Sequence, residues 1–144
     1  MPATLHRPAR AATLAATLAI LVLPAALSAP ALARSAGTER TLKMVDTDHD
    51  GSIDLAEAQA AAGKVFDGAE KDKDGTVDAK ELKGRVSKKE LKAADTDADG
   101  TLDRKEYLAL VEQRFKAADP DNDGTLDAKE LKTPAGRSLL QLLK

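Results

Sequence analysis

Residues 46–57 read DTDHDGSIDLAE, twelve residues with an acid at positions 1, 3, 5, 9 and 12 and a glycine at position 6. The same arrangement returns as EKDKDGTVDAKE at 70–81, DTDADGTLDRKE at 95–106 and DPDNDGTLDAKE at 119–130, a repeat of 24 to 25 residues. Asp makes up 16, Glu 8 and Gly 9 of the 144 residues. With that composition, Asp at positions 3 and 5, Gly at 6 and Glu at 12 coincide by chance at about 4 × 10⁻⁵ of starting points. Four phased copies are therefore a designed feature of the chain. An acidic disordered tract has no reason to keep a phased glycine and a closing glutamate.

The pattern suits one kind of ligand. A large, hard divalent cation such as calcium takes six to eight oxygens at about 2.3 to 2.6 Å, so the chain has to bend sharply around it and then close the shell. The glycine, here Gly51, Gly75, Gly100 or Gly124, permits a backbone bend that a Cβ would resist. The four blocks resemble the calcium loop of the EF-hand. The chain is similar to small exported bacterial proteins with four such loops.

That resemblance implies the ligand set residue by residue. In the first loop Asp46, Asp48 and Asp50 supply side-chain oxygens, Ser52 a backbone carbonyl, Asp54 a contact through water, and Glu57 a bidentate clamp. The corresponding residues are Glu70, Asp72, Asp74, Thr76, Asp78 and Glu81 in the second loop, and Asp95, Asp97, Asp99, Thr101, Asp103 and Glu106 in the third. In the fourth they are Asp119, Asp121, Asp123, Thr125, Asp127 and Glu130. Up to four Ca²⁺ ions are expected. Glu70 departs from the family's Asp at position 1, and its longer side chain makes the second loop the expected weak site. A Glu at position 12 throughout favours calcium over the smaller, strictly octahedral magnesium.

The family also implies roles for apolar positions. Ile53, Val77, Leu102 and Leu126, at loop position 8, are expected to join two loops through a short antiparallel bridge. Leu42, Phe66, Leu91 and Phe115 each precede a loop by four residues and are expected in the core of the incoming helices. His49 at position 4 is expected to face solvent.

Only 12 or 13 residues separate one loop's Glu from the next loop's first ligand, too few for separate outgoing and incoming helices, so some helices must be shared. The segment after the second loop, ELKGRVSKKELKAAD, offers Gly84 as a helix stop and Ser87 with Glu90 as a capping box, a hairpin that returns loop 3 beside loop 2. The segment after the third, RKEYLALVEQRFKAAD, has neither Gly nor Pro and reads as one helix. The first connection is ambiguous because Gly63 and Gly68 interrupt an Ala-rich stretch. We expect loops 2 and 3 to pair and loops 1 and 4 to pair, against the alternative order of 1 with 2 and 3 with 4. At the C-terminus Thr133 can cap, Pro134 suits a first helical turn, and Leu139, Leu140, Leu142 and Leu143 form an apolar surface. That surface fits a closing helix packed on the core, with a calcium-gated docking helix as the alternative.

Composition agrees with an all-α fold of helix-loop-helix repeats: Ala, Leu, Lys and Glu are plentiful, and the only aromatics are Phe66, Tyr107 and Phe115. With no cysteine, disulfides and thiolate metal sites are excluded. No nucleophile and base are paired, so the protein is not expected to be an enzyme. Residues 1–10 carry His6, Arg7 and Arg10 and no acid, and 11–33 are uncharged and apolar, ending in Ala31-Leu32-Ala33. This is the layout of a cleaved secretory signal peptide over 1–33, leaving a calcium-binding domain of 34–144. Pro24 and Pro30 argue against an uncleaved membrane anchor. The domain is then exported, periplasmic or secreted, with no stable membrane association. Its 24 acids against 20 basic residues give −4, and the loops hold 20 of those acids. Calcium ions are the expected partners, together with an unidentified protein; no nucleic acid is expected. A buffer or calcium-stabilised module fits a chain with a single Met after the leader, Met44, better than a sensor that exposes an apolar groove.

Overall fold

The computed structural model describes residues 29–144, with side chains placed from residue 36 onward. The leader expected over 1–33 lies outside them but for its last five residues, which open the first helix. The elements follow in the order α1 (Ala29–Val45), β1 (Ile53–Asp54), α2 (Leu55–Ala69), β2 (Thr76–Val77), α3 (Lys88–Ala94), β3 (Leu102–Asp103), α4 (Arg104–Ala118), β4 (Thr125–Leu126), a 3₁₀ turn (Glu130–Lys132) and α5 (Pro134–Leu140). No helix among the described residues is long and apolar enough to cross a membrane.

The acids of the loops also start the helices. Asp54 and Glu57 form a capping box at the head of α2, and Asp103 and Glu106 form one at the head of α4. Positions 9 and 12 are thus N-cap and N3, which turns the backbone out of each loop and into the next helix. The ambiguity of the first connection is resolved in favour of one uninterrupted helix. Ala58, Ala62, Phe66 and Ala69 bury one face of α2 at helical spacing. That burial outweighs the roughly 1 kcal/mol that each of Gly63 and Gly68 costs a helix. Gly63 has a packing role instead: a Cβ there would stand 3.2 Å from Arg104 Nη1. Arg104 also pairs with Asp67 and lies over the Phe66 ring, clasping α4 to α2.

Helices α2 and α4 are shared, each leaving one loop and entering the next. The other two outgoing segments depart from a full helix-loop-helix plan. After the second loop the chain makes a single α-type turn, Leu82 N–H to Asp78 O at 3.0 Å. Lys83 and Gly84 then take left-handed backbone (φ 47 and 81°) and stop it. After the fourth loop the equivalent turn, Leu131 N–H to Asp127 O at 3.0 Å, runs into the 3₁₀ turn and goes no further, because Pro134 forces Thr133 into extended backbone (ψ 164°). Thr133 then caps α5 through Gly136 N–H, as expected. The Ser87–Glu90 capping box heads α3.

Loop pairing is nested. Ile53 faces Leu126 across β1–β4, and Val77 faces Leu102 across β2–β3, both antiparallel. All four position-8 side chains are fully buried. Phe66 and Tyr107 meet in a tilted ring contact, centroids 5.6 Å apart. Phe115 and Leu91 are buried beside them and Leu42 is partly buried against the same core. Leu139, Leu140, Leu142 and Leu143 are all buried, so the C-terminal segment closes the core.

Two polar hooks hold that closure. The buried Arg114 on α4 donates to Ser138 O of α5 at 2.6 Å and to Glu90 Oε1 of α3 at 2.9 Å. The fully buried Tyr107 hydroxyl donates to Leu142 O at 3.0 Å, and burial pushes its ionisation up to about 12. Tyr107→Phe leaves that carbonyl without its donor. A loss of about 1 to 2 kcal/mol is expected, read as a lower urea midpoint at unchanged slope.

Candidate metal centres

Each loop is organised by the same internal hydrogen bonds. The position-1 carboxylate accepts the position-6 glycine N–H: Asp46 from Gly51 at 3.0 Å, Glu70 from Gly75 at 2.7 Å, Asp95 from Gly100 at 2.9 Å and Asp119 from Gly124 at 3.1 Å. The position-5 Asp accepts both N–H and hydroxyl of position 7, as in Ser52 to Asp50 at 2.8 and 2.7 Å. Thr76, Thr101 and Thr125 do the same for Asp74, Asp99 and Asp123. The hydroxyl residue at position 7 therefore acts on its neighbour, a role beyond the carbonyl assigned to it from the sequence. These bonds hold Asp50 and Asp99 below the ordinary carboxylate range.

The tight turn uses two left-handed residues per loop. Gly51 has φ 93° and the three equivalent glycines have φ 87 to 90°. Position 4 is also left-handed, in His49, Lys73, Ala98 and Asn122 (φ 56 to 64°). Sequence reasoning foresaw the glycine and missed position 4, for which Asn122 is the one conformationally apt signal. His49 is exposed, and its ring Nδ1 lies 3.0 Å from Thr47 O.

The closing Glu is held at both ends. Its Oε2 accepts the position-9 N–H in every loop, at 3.2, 3.2, 3.1 and 2.8 Å for Glu57, Glu81, Glu106 and Glu130. Its Oε1 meets position 2, which sequence reasoning also missed. Thr47 gives Glu57 Oε1 both N–H (2.6 Å) and hydroxyl (2.8 Å), and Thr96 gives Glu106 Oε1 the same pair (2.6 and 2.7 Å). Lys71 gives Glu81 Oε1 its N–H alone at 2.9 Å. In the fourth loop position 2 is Pro120, which has neither donor. The available signal was one fixed offset reading Thr, Lys, Thr, Pro.

The electrostatics follow. Burial pushes the Glu57 carboxyl up, but the Thr47 donors and Asp54 N–H leave it below its ordinary value. The Thr96 hydroxyl and N–H do the same for Glu106. At Glu130 the Asp127 N–H pulls downward, yet burial and the charges of Asp121, Asp127 and Asp123 prevail, so it sits above the ordinary value. Asp48 and Asp97 are also raised: the N–H of Asp50 or Asp99 pulls each downward, but burial and neighbouring acids outweigh it.

Three sets of carboxylates converge, each with oxygens within 4.8 Å of one another: Asp46, Asp48 and Glu57; Asp95, Asp97 and Glu106; Asp119, Asp121 and Glu130. Among the described residues the second loop, with Glu70, Asp72 and Glu81, forms no such set. The fourth loop tests directly whether these groups suit a cation. Asp119 Oδ1 and Glu130 Oε1 are buried and have no hydrogen-bond partner. Two orphaned carboxylate oxygens beside a third acid are costly unless a cation satisfies them. An all-oxygen donor set with no histidine or thiolate selects a hard cation such as calcium.

No curated protein matches the chain. The EF hand family profile matches at residues 39–59, 89–111 and 110–133, which contain the same three loops whose carboxylates converge. The chain thus matches the EF-hand family at three positions, and each match holds one of three acidic loop clusters of the calcium-binding kind.

Proposed function

We propose that the protein is an exported calcium buffer or calcium-stabilised module, binding through its loops without catalysis. The observation that carries the reading is the convergence of three carboxylate sets, one of them with two orphaned buried oxygens. In each loop the residues at positions 1, 3, 5, 7, 9 and 12 hold the ion: Asp46, Asp48, Asp50, Ser52, Asp54 and Glu57 in the first, and their counterparts in the third and fourth. The ion supplies positive charge to a cluster of five acids and cross-links the turn to the outgoing segment. The Glu70 loop is a fourth, weaker site: its acids keep the hydrogen bonds of the other loops but do not converge as theirs do. Export rests on the basic start, apolar centre and Ala-Leu-Ala exit of residues 1–33.

A buffer role is favoured over a sensor role because Met44, 76% exposed, is the one large exposed hydrophobic among the described residues. The sensor alternative has one supporting feature, a groove of about 340 Å³ lined by Met44, Val65 and Leu143 that borders Glu57 of the first loop. The deciding experiment is calorimetric titration of calcium into chelator-stripped protein with millimolar magnesium present. At least three sites are expected, with no calcium-dependent binding of an apolar dye. Fewer than two sites tighter than about 10⁻³ M would sink the calcium reading, and strong dye binding on calcium addition would move it to the sensor.

A further inference from the structure

Loop position 2 divides the four loops into three kinds. Thr47 and Thr96 each place two donors on the Oε1 of the closing glutamate, Lys71 places one, and Pro120 places none. An sp² carboxylate oxygen has two lone-pair directions, so two donors occupy both. A cation that takes this glutamate through both oxygens has to displace one of the Thr donors in loops 1 and 3. In loop 4 it displaces nothing.

The position-1 acid reinforces the contrast. Asp46 Oδ1 accepts His49 N–H at 2.6 Å, and Asp95 Oδ1 accepts Asp99 N–H at 3.2 Å. Asp119 is only 7% exposed and its Oδ1 accepts nothing. The fourth loop thus presents two buried carboxylate oxygens that gain their first partner when a cation arrives. Donors at position 2 are not needed to aim the glutamate, because Oε2 is already held by the position-9 N–H in all four loops.

We propose that Pro120 makes the fourth loop the first to fill with calcium, and that Thr47 and Thr96 are positioning residues that delay their own loops by occupying the closing glutamate. The inference rests on the calcium-binding reading and adds an order to it. Loop 3 is the clean comparison, since loop 1 is bridged to loop 4 through β1–β4 and shares in its filling, whereas loop 3 is bridged to loop 2.

The glycine amides report each loop separately, because Gly124 N–H and Gly100 N–H donate to the position-1 acids Asp119 and Asp95. In a calcium titration followed by amide NMR, Gly124 should shift at about tenfold lower calcium than Gly100, the equivalent of roughly 1.4 kcal/mol. Pro120→Thr restores both donors and should move the Gly124 midpoint up to that of Gly100. Thr96→Val keeps the N–H, removes the hydroxyl at nearly constant shape, and should move the Gly100 midpoint down about fivefold with Gly124 unchanged. Gly100 responding together with or before Gly124, or midpoints that neither variant moves, overturns the ordering and leaves calcium binding standing. If no loop glycine responds to millimolar calcium, the ordering and the calcium reading fall together.

Discussion

In excess chelator the protein is expected to lose its cooperative thermal transition or to show it at least about 20 °C lower than in calcium. The loops bring like charges together: Asp48 and Asp97 are raised, with the charge of neighbouring loop acids opposing each ionisation. A site held at a hundredfold excess of calcium over its dissociation constant contributes about 2.7 kcal/mol, so three such sites contribute about 8 kcal/mol. A whole domain of this size has only about 5 to 15 kcal/mol of stability. The core cannot easily replace that contribution, since it is small: leucines, a few valines and alanines, one isoleucine and three aromatic rings. Differential scanning calorimetry with and without chelator checks the result, and two curves that superimpose within a few degrees would contradict it.

The second large effect is expected at Gly136, in the first turn of α5. The 3₁₀ turn packs so closely on that turn that a Cβ at 136 would lie 2.2 Å from Glu130 O and 2.6 Å from Leu131 Cα. Both are backbone atoms, so no side-chain rotation relieves the contact. Gly136→Ala should cost about 3 kcal/mol or more through forced displacement of one backbone segment. Because the clash falls on Glu130, it should also weaken calcium binding at the fourth loop. The contrast is Gly68→Ala within α2, where nothing stands within 4 Å of the new Cβ. That change should stabilise the protein by about 0.5 to 1 kcal/mol, because alanine favours the helix. Urea denaturation of the two variants should move in opposite directions from the parent.

The loops, the nested pairing and the shared helices were legible because each rests on short-range chemistry written at fixed offsets. A capping box is the pair Ser87 and Glu90 three residues apart, and needs no tertiary context. The pairing of Ile53 with Leu126 followed from the length and breaks of the connections: a continuous α4 holds loops 3 and 4 apart, and Gly84 turns loop 3 back on loop 2. What escaped was decided by packing or by reciprocal bonds across ten residues. Gly63 looked like a helix break and is a seat for Arg104 on a neighbouring helix. The outgoing helix missing after loop 4 depends on Pro134, which was read correctly as the start of α5 but not as the end of what precedes it. Thr47, Thr96 and Pro120 act only once Glu57, Glu106 and Glu130 have folded back over the loop. Their effect lies in which oxygen is left over, and a pattern of ligand types does not count leftovers.

The bracketed arrangement of the bridges also sets an order of assembly. The inner bridge, Val77 with Leu102, closes 25 residues of chain, while the outer bridge, Ile53 with Leu126, closes 73. The difference in closure entropy is about 1 kcal/mol in favour of the inner bridge. During synthesis the inner pair is complete while the fourth loop is still unmade, so the first loop waits unbridged until Leu126 emerges. Folding therefore runs from the middle outward, and a chain truncated ahead of the fourth loop strands the first as well.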